Sequence, residues 1–374
     1  MASLNILALN SGSSSLKFGL YRVDQAGAES LFGASVATAD NPDGIARVAS
    51  LLAESDTPPL DAIGHRIVHG GPTLREHRRI DDAVLHQLQA AVPFAPLHTP
   101  AALAVVRFAQ AQFPGVPQVA CFDTQFHADL PDVARVLPVA RELQAEGIQR
   151  YGFHGLSLES IVRQLGPDLP NQSSVQLPER LVIAHLGNGA SITAVKAGRS
   201  IDTSMGLTPS GGVIMGTRSG DLDPGVLVYL LREKKWDAAR LEALVDHQAG
   251  LLGVSGVSSD MRRLHEAAAS NANARLAIEM FCTSVRKQIA AMITVLDGVD
   301  MLVFTGGIGE NDAMVRTEIC KGLSWMGITL DASRNGTAGD PPGAIHDGAS
   351  RCRVHVLASQ EDEQIARHTW ALLA

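Results

Sequence analysis

The chain has 374 residues, enough for two domains of ordinary size, and 45% of them are apolar, 4% aromatic and 19% charged. This composition supplies an aliphatic core and is unlike that of a disordered chain. The 31 basic residues against 39 acidic ones give a formal net charge of −8, which repels polyanions. Binding to nucleic acid is therefore not expected.

Membrane, secretion and metal signals are weak. No stretch reaches the roughly 18 to 20 apolar residues of a membrane helix, and the first ten residues lack the basic region of a secretion signal. We therefore expect a cytoplasmic protein with no membrane partner. The four cysteines are widely separated and no H-E-x-x-H pair occurs, so we expect reduced core thiols and no zinc site.

The first third of the chain reads as α/β. Leu4 to Leu9 form an apolar run that predicts a buried strand, and the alternation of residues 16–21 predicts a second strand after a polar turn. Helical patterns follow at about 81–92 and 100–112, and Gln118 to Phe122 predict another strand.

The second half begins like the first. Arg180 to Lys196 read as an apolar strand, a glycine turn and an alternating strand, which repeats the opening hairpin and indicates duplication. Further helices are predicted at about 224–234, 238–248 and 273–297, then a strand at Met301 to Phe304, a glycine turn and a helix, and a last strand and helix after Arg353. The boundary between halves is placed near Glu146 to Arg150.

Three polar or glycine-rich turns follow predicted strands. The turn at residues 10–15, with Lys17 after it, could cradle phosphate oxygens or be a plain hairpin turn. It is no Walker A loop, because a strand follows it and the motif occurs nowhere. The turns at 187–189 and 306–311 let backbone approach a ligand, but neither completes G-x-G-x-x-G, and each could be a tight turn without a ligand.

Several charged or titratable residues stand among apolar or glycine neighbours. Arg66 lies in an apolar strand and Arg218 in a glycine-rich loop, which predicts either anion binding or structural ion pairs. Asp123 ends a predicted strand, and His154 lies between an aromatic residue and a glycine. Both surroundings are typical of functional sites, although a buried, hydrogen-bonded histidine is the common alternative for His154. The G-x-S-x-G nucleophile elbow of serine hydrolases is not present at residues 155–159, because Glu159 stands where the motif has its second glycine.

Ten motifs, in order from Asn10 to Arg367, together resemble the acetate kinase (acetokinase) family. They are NSGSSSLKF, GHRIVHGG, PLHTP, FDTQFH, RYGFHG, HLGNGAS, MGTRSGDLDPG, SSDMR, TGGIGEN and E-x-x-x-IAR. The resemblance implies a duplicated, two-domain α/β fold of the actin-like ATPase type, with nucleotide in the cleft between domains. Residues 1–147 would form the first domain, rejoined by a last helix at about 361–374. Residues 148–360 would form the second domain, which binds nucleotide and forms a homodimer.

The resemblance also implies roles for individual residues. Asn10 and Glu361 would belong to the metal site, and Arg66, Asp123, His154 and Arg218 would be catalytic. Arg66 would also bind the acyl substrate, in a pocket with Val68, Leu97, Phe153 and Pro209. Nucleotide contacts would fall on Lys17, His185, Leu186, Gly187, Asn188, Gly189, Asp260, Met261, Arg262, Gly306, Gly307, Ile308, Gly309, Glu310 and Asn311. Met261 stands where the family commonly has phenylalanine.

The implied activity is reversible, Mg²⁺-dependent transfer of the ATP γ-phosphoryl group to acetate by in-line displacement, giving acetyl phosphate and ADP, with Mn²⁺ as a substitute metal. A carboxylate is already a nucleophile at pH 7, so the task is to bring anions together, and we expect the two arginines, Lys17, an imidazolium at His154 and the metal to do so. Propionate or another short-chain acid is the alternative substrate. A nucleotide-switched interaction protein would lack both arginines, and a sugar kinase would use Asp123 as its base.

Overall fold

The computed structural model describes residues 2–11, 15–37, 47–48, 50–51, 54, 57–96, 98–166, 177–337 and 343–374. Leu97, predicted for the acyl pocket, lies outside the described residues. So do residues 12–14 of the first polar turn.

The first half of the chain forms a six-stranded sheet. Its strands are β1 (Leu4–Ser11), β2 (Ser15–Asp24), β3 (Gly27–Ala37), β4 (Ala62–Ile67), β5 (Arg78–Arg79) and β6 (Gln118–Phe122), in the order β3-β2-β1-β4-β6-β5. β1, β2 and β3 pair antiparallel, whereas β4 is parallel to β1 and β6 is parallel to β4. The strands predicted at 4–9 and 118–122 are confirmed.

The second half forms a five-stranded sheet with the same plan. Its strands are β7 (Arg180–Leu186), β8 (Ala190–Lys196), β9 (Arg199–Thr203), β10 (Met301–Thr305) and β11 (Arg353–Val356), in the order β11-β10-β7-β8-β9. As in the first sheet, the leading strand lies between an antiparallel pair and two parallel strands. The duplication inferred from the two hairpins is therefore confirmed by topology.

Fourteen α-helices lie wholly within the part of the chain that the structure describes. They are α1 (Asp82–Ala90), α2 (Thr99–Gln112), α3 (Asp132–Arg135), α4 (Arg141–Ala145), α5 (Gly155–Leu165), α6 (Pro224–Glu233), α7 (Ala238–Ala243), α8 (Gly250–Ser255), α9 (Met261–Ala268), α10 (Ala272–Val295), α11 (Gly306–Asn311), α12 (Ala313–Lys321), α13 (Ala332–Thr337) and α14 (Glu361–Leu373). None of these described helices is long and apolar enough to cross a membrane.

The helix predictions hold with two differences. The pattern at 238–248 gives α7 followed by a π-helical turn over Leu244–Gln248, and the predicted glycine turn at 306–311 is the short helix α11. Local capping explains where others begin. Asp81, for example, accepts a hydrogen bond from the backbone N–H of Val84 (2.8 Å), which fixes the start of α1.

The last helix lies against the first sheet although it follows the second sheet in the chain. α14 packs on β1, β2, β4 and β6, and the approach is close at Gly64 of β4. A Cβ atom at Gly64 would overlap Oγ1 of Thr369 and lie 2.6 Å from Cγ2 of Ile365. A glycine is therefore needed here for the helix to reach the sheet. The N-terminus of α14, with Glu361, is thereby brought to the carboxyl ends of the strands.

Candidate active site

A cleft of about 590 Å³ opens at the carboxyl ends of the central strands of both sheets. Ligand sites of α/β proteins form at such strand ends, where loops and helix N-termini converge. The sequence-predicted residues that line it are Asn10, Lys17, Arg66, Val68, Asp123, Phe153, His154, His185, Gly187, Asn188, Gly189, Pro209, Arg218, Gly306, Gly307, Glu310, Asn311 and Glu361. Residues far apart in sequence thus share one cavity.

Sequence reasoning missed five other residues of the cleft, Tyr21, Ser359, Gln360, Asp362 and Glu363, and it gave no individual role to Ser11 of the first polar turn or to His98. Two signals could have found some of them. His98 stands inside the PLHTP motif, and the run of three acids at 361–363 falls in the first turn of α14. Acidic residues are common in a first helical turn for electrostatic reasons alone, so the run does not by itself indicate a site.

Arg66 and Asp123 form the buried ion pair of the cleft. Oδ2 of Asp123 accepts hydrogen bonds from Nη2 (2.6 Å) and Nε (2.9 Å) of Arg66, and Asp123 is fully buried. Its other oxygen, Oδ1, has no hydrogen-bond partner within the described residues. Burial raises the pKa of Asp123 to about 6, although the charge and hydrogen bonds of Arg66 act to lower it.

Asn10 joins this pair to the last helix. Its Oδ1 accepts a hydrogen bond from Nη1 of Arg66 (3.1 Å), and its Nδ2 donates to Oε2 of Glu361 (2.9 Å) and Oδ1 of Asp362 (2.7 Å). Burial acts to raise the pKa of Glu361, but the charges of Arg66 and His185 and the Asn10 hydrogen bond outweigh it and lower that pKa. Burial raises the pKa of Asp362.

These oxygen ligands fit a hard divalent cation. Mg²⁺ prefers carboxylate and amide oxygens, and it is held by few protein ligands with water and phosphate completing the shell. The buried carboxylate of Asp123 and the partly buried carboxylates of Glu361 and Asp362 face one guanidinium, that of Arg66, which lies within 4.0 Å of Asp123 and Glu361. Arg66 therefore does not balance the negative charge of these carboxylates. A bound cation would neutralise the excess and would give Oδ1 of Asp123 a partner.

A stacked histidine pair forms another part of the cleft wall. The rings of His154 and His185 lie 4.1 Å apart at 22°, with Nδ1 of His154 2.9 Å from Oγ of Ser191 and Nδ1 of His185 2.9 Å from Oγ of Ser157. His154 has φ 62° and immediately precedes α5. A non-glycine residue in this left-handed region is uncommon and marks a site held by its surroundings.

The protonation of His154 differs from the sequence expectation. Burial, then the neighbouring charges of His185, Arg66 and Arg218, lower the pKa of His154 well below 6.5. The imidazolium expected at this position is therefore not the form that the site favours at pH 7. A neutral ring can still donate one N–H to a phosphate oxygen.

Arg218 is held by neutral acceptors. Nη1 donates to the carbonyl of Pro209 (3.2 Å) and Nη2 donates to Nε2 of His98 (3.1 Å). Across the described ranges no carboxylate forms an ion pair with it. An arginine stays charged even when burial lowers its pKa, as it does for Arg218. Its charge is therefore free to meet an anion, which favours the anion-binding interpretation over a structural ion pair.

The apolar part of the cleft is small. Val68 and Phe153 are almost fully buried side chains, and with Pro209 they line the cavity that Arg66 and Arg218 also line. Charged and apolar walls in one cavity suit a short amphiphilic anion, because the carboxylate and the alkyl group each meet a matching surface.

Some predicted nucleotide contacts do not line this cleft. Leu186, Ile308 and Gly309 are not among the lining residues, and neither are Asp260, Met261 and Arg262 at the start of α9. Met261 is 3% exposed and packs in the core of the second half, while the Arg262 side chain is 87% exposed and pairs with Asp260 (2.7 Å). The roles of these six residues stay predictions.

A second group of potential metal ligands, His77, Glu159 and His368, lies outside the cleft. Nδ1 of His77 accepts a hydrogen bond from the backbone N–H of Phe122 (3.0 Å), so a neutral His77 carries its proton on Nε2. A protonated Nε2 cannot bind a metal ion. The cluster instead links helices, through a 2.5 Å contact between Nε2 of His368 and Oε2 of Glu159.

The repeated sheet topology, with a cleft at the strand ends that combines glycine turns, cations and acidic side chains, defines a kinase of the actin-like ATPase fold. The model of the acetokinase family matches residues 23–367. A protein described as acetate kinase, from Methylocella silvestris, is 40% identical, with 98% of each chain covered. The chain belongs to the acetokinase family, whose members are phosphotransferases with a carboxyl group as acceptor.

Solved structures agree with this assignment. A propionate kinase from Francisella tularensis subsp. tularensis SCHU S4 has a TM-score of 0.87 at 35% identity and covers 100% of both chains. Acetate kinase from Porphyromonas gingivalis has a TM-score of 0.83 at 33% identity, with 99% of this chain and 100% of that chain covered. Relatives of both names therefore share this fold across its length.

Proposed function

We propose that this protein is an acetate kinase, which transfers the γ-phosphoryl group of ATP to acetate, reversibly and with Mg²⁺, to give acetyl phosphate and ADP. The observation that carries the proposal is the joint placement of Arg66 and Arg218 in one cleft with an apolar wall and an acidic cluster. A sugar kinase would have a free carboxylate base for its hydroxyl. Only Oδ2 of Asp123 is engaged by Arg66, and it is Arg218, with no ion-pair partner among the described carboxylates, that favours a carboxylate acceptor over a hydroxyl.

The acyl substrate is placed by charge and by shape. Its carboxylate would meet the guanidinium groups of Arg66 and Arg218, the second of which forms no ion pair with a described carboxylate, while the methyl group would lie against Val68, Phe153 and Pro209. Leu97 is kept as a fourth pocket residue on the resemblance alone. Asp123 would orient Arg66 rather than accept a proton, because an acetate oxygen needs no deprotonation at pH 7.

The nucleotide would lie along the second half of the cleft. Gly187, Asn188, Gly189, Gly306 and Gly307 line it, and Gly307 has open space where a side chain would be. The N–H of Gly306 is taken by Glu310, but the other N–H groups of the first turn of α11 have no partner within that helix and can donate to phosphate oxygens. Lys17, exposed at the rim, would contact the same phosphates.

Bound Mg²⁺ would supply positive charge that offsets the charge of the phosphates and of the transferring group. Asn10 and Glu361 are the residues proposed to hold it, directly or through water. Arg66, Arg218 and the N–H of His154 would stabilise the equatorial oxygens of the phosphoryl group. Nucleophile and leaving group are then held in line by fixed charges, and no covalent enzyme intermediate is needed.

A hydroxamate assay for acyl phosphate tests this function, with acetate, propionate and butyrate in parallel. We expect ATP- and Mg²⁺-dependent product with the highest kcat/KM for acetate. One methylene in an apolar pocket changes binding by only about 1–3 kcal/mol, so propionate or another short-chain acid is the alternative substrate. A higher kcat/KM for propionate would establish that alternative. Absence of product with all three acids would contradict the proposal.

We further propose that residues 1–147 with 361–374 and residues 148–360 are the two domains, that the protein is cytoplasmic, and that it forms a homodimer through the second domain. Helix α6 supports the dimer, because it is apolar and none of its side chains is buried. Val226, Val228, Tyr229 and Leu231 are between 41% and 53% exposed. Such a patch is typical of a protein interface. Light scattering should show a dimer that Tyr229→Asp dissociates, whereas Val133→Asp on the exposed side chain of α3 should not.

A further inference from the structure

The carboxylate of Glu310 does not extend freely into the cleft. Its Oε1 accepts a hydrogen bond from the backbone N–H of Gly306 (2.8 Å) and lies 3.3 Å from the donor Oγ1 of Thr305. Thr305 precedes α11 and its own side chain does not cap the helix. Glu310 therefore satisfies an orphan N–H at the start of its own helix and fixes the chain at Gly306, where φ is 77°.

The same oxygen also accepts a hydrogen bond from the backbone N–H of Ser359 (2.9 Å). Ser359 belongs to residues 357–360, the segment that carries the chain from β11 to α14, here called the crossing segment. Two residues later the chain reaches Glu361, which is hydrogen-bonded to Asn10. One oxygen atom of Glu310 thus joins the glycine segment of the second half to the residue pair that begins the last helix.

The remaining contacts of the crossing segment are made mainly to α5. Oγ of Ser359 is 2.9 Å from Oγ of Ser157, and the backbone N–H of Gln360 donates to Oγ of Ser160 (3.1 Å). The side chain of Glu310 provides the hydrogen bond that attaches the crossing segment to α11. Loss of this acceptor would leave two backbone N–H groups unpaired and let the start of α14 shift against the glycine segment.

We propose that Glu310 is a positioning residue: it sets where Glu361 lies relative to the glycine segment at 306–311, and through this it determines the affinity for the divalent cation. This rests on the proposed function, in which Glu361 binds the metal. It replaces the sequence expectation that Glu310 contacts the nucleotide. Residues that orient metal ligands typically change metal affinity by about 10- to 100-fold when they are lost.

The test compares Glu310→Gln, Glu310→Asp and Glu310→Ala with Glu318→Ala, a control on α12 whose carboxylate is bonded to Arg286. Glutamine keeps an acceptor at the same reach. Aspartate keeps the negative charge, but its side chain is one methylene shorter and its carboxylate does not reach the two backbone N–H groups. Mn²⁺ binding in the presence of ADP is measured by electron paramagnetic resonance, and acyl phosphate formation is followed against Mg²⁺ concentration. Circular dichroism checks that each variant is folded.

We expect Glu310→Asp and Glu310→Ala to raise the Mn²⁺ dissociation constant and the half-saturating Mg²⁺ concentration about tenfold. Glu310→Gln should stay within about twofold of the wild type, Glu318→Ala should be unchanged, and the KM for acetate should barely move. If the alanine variant does not fold, the aspartate and glutamine pair decides. Glutamine as defective as aspartate, or aspartate equal to the wild type, would overturn the proposal.

Failure of the proposed function is distinguishable from failure of this inference. A wild-type protein that makes no acyl phosphate contradicts the function, while the Mn²⁺ comparison still tests Glu310. A lower KM for ATP in Glu310→Ala, with unchanged Mn²⁺ affinity, would show that the carboxylate faces the nucleotide and repels it, which contradicts positioning. A wild-type protein that binds no Mn²⁺ would overturn both the metal site and the role of Glu310.

Discussion

Asp123 holds Arg66 through one carboxylate oxygen, Oδ2, which accepts two hydrogen bonds, while Oδ1 stays unpaired within the described residues. The pair is buried, and Arg66 also donates to Asn10. The orientation of the guanidinium is thus set from two sides. Arg218 has neutral partners instead, so the two arginines of the cleft should behave differently when they are removed.

Replacing either arginine with alanine should lower kcat by about 10²- to 10³-fold, because each supplies charge where the phosphoryl group moves. Their effects on stability should differ. Arg66→Ala leaves Asp123 buried without its partner and should cost about 3 kcal/mol of unfolding free energy, whereas Arg218→Ala leaves no carboxylate unpaired. Steady-state kinetics check the loss of turnover, and urea unfolding checks the loss of stability.

The control for both measurements is Arg22→Ala, which removes an exposed ion pair with Glu29. Near-normal turnover in either cleft variant would refute its role.

Glu361→Gln should raise the half-saturating Mg²⁺ concentration at least about tenfold, because a neutral amide binds a hard cation less well than a carboxylate. The KM for acetate should change little. The measurement is the rate of acyl phosphate formation against Mg²⁺ concentration, with Glu318→Gln as the control on a distant helix. An unchanged Mg²⁺ titration would remove Glu361 from the metal site.

The raised pKa of Asp123 predicts a pH dependence of stability. In the folded protein its pKa is about 6, against 3.8 for the free side chain, so the native state binds more protons between these values. The contribution of Asp123 to the unfolding free energy should therefore fall as pH rises from about 4 to 6, by about 1–3 kcal/mol.

Asp123→Asn removes this titration. Urea unfolding at several pH values should show the wild type losing stability relative to Asp123→Asn as pH rises from 4 to 6, with a constant difference above about pH 7. Parallel pH profiles for the two proteins would show that Asp123 titrates in the ordinary range for a carboxyl group. Asp61→Asn, an exposed carboxylate that accepts the backbone N–H of Asn5, tests whether any lost carboxylate gives the same effect.

Val68→Ala should shift acid preference towards longer chains. The change opens space that acetate does not fill, and each methylene that propionate or butyrate buries there contributes about 0.8 kcal/mol. We expect a few-fold rise in the ratio of kcat/KM for propionate to that for acetate, mainly through KM, because the contact exists in both ground and transition states. Val105→Ala, a buried valine of α2 that does not line the cleft, is the matched control. An unchanged ratio would place Val68 outside the acyl pocket.

The amino-acid sequence by itself determined the α/β class, the duplication and most strands and helices, because these depend on local periodicity and on turn residues. Arg180 to Lys196 shows this: its apolar strand, glycine turn and alternating strand are the observed β7 and β8. The motifs, taken together, also determined the family. Ten motifs in one order are far more specific than any one of them.

Only the tertiary structure decided which residues of the cleft contact one another and which protonation state and hydrogen bonds each of them has. The return of α14 over Gly64 places Glu361 beside Asn10, 351 positions away in the chain, and no local pattern encodes that distance. The burial that leaves His154 neutral, the neutral partners of Arg218 and the inward-facing carboxylate of Glu310 all arise from contacts between distant segments. Charge state and hydrogen bonding follow the surroundings of a side chain in three dimensions, and for these residues most of the surroundings come from elsewhere in the sequence.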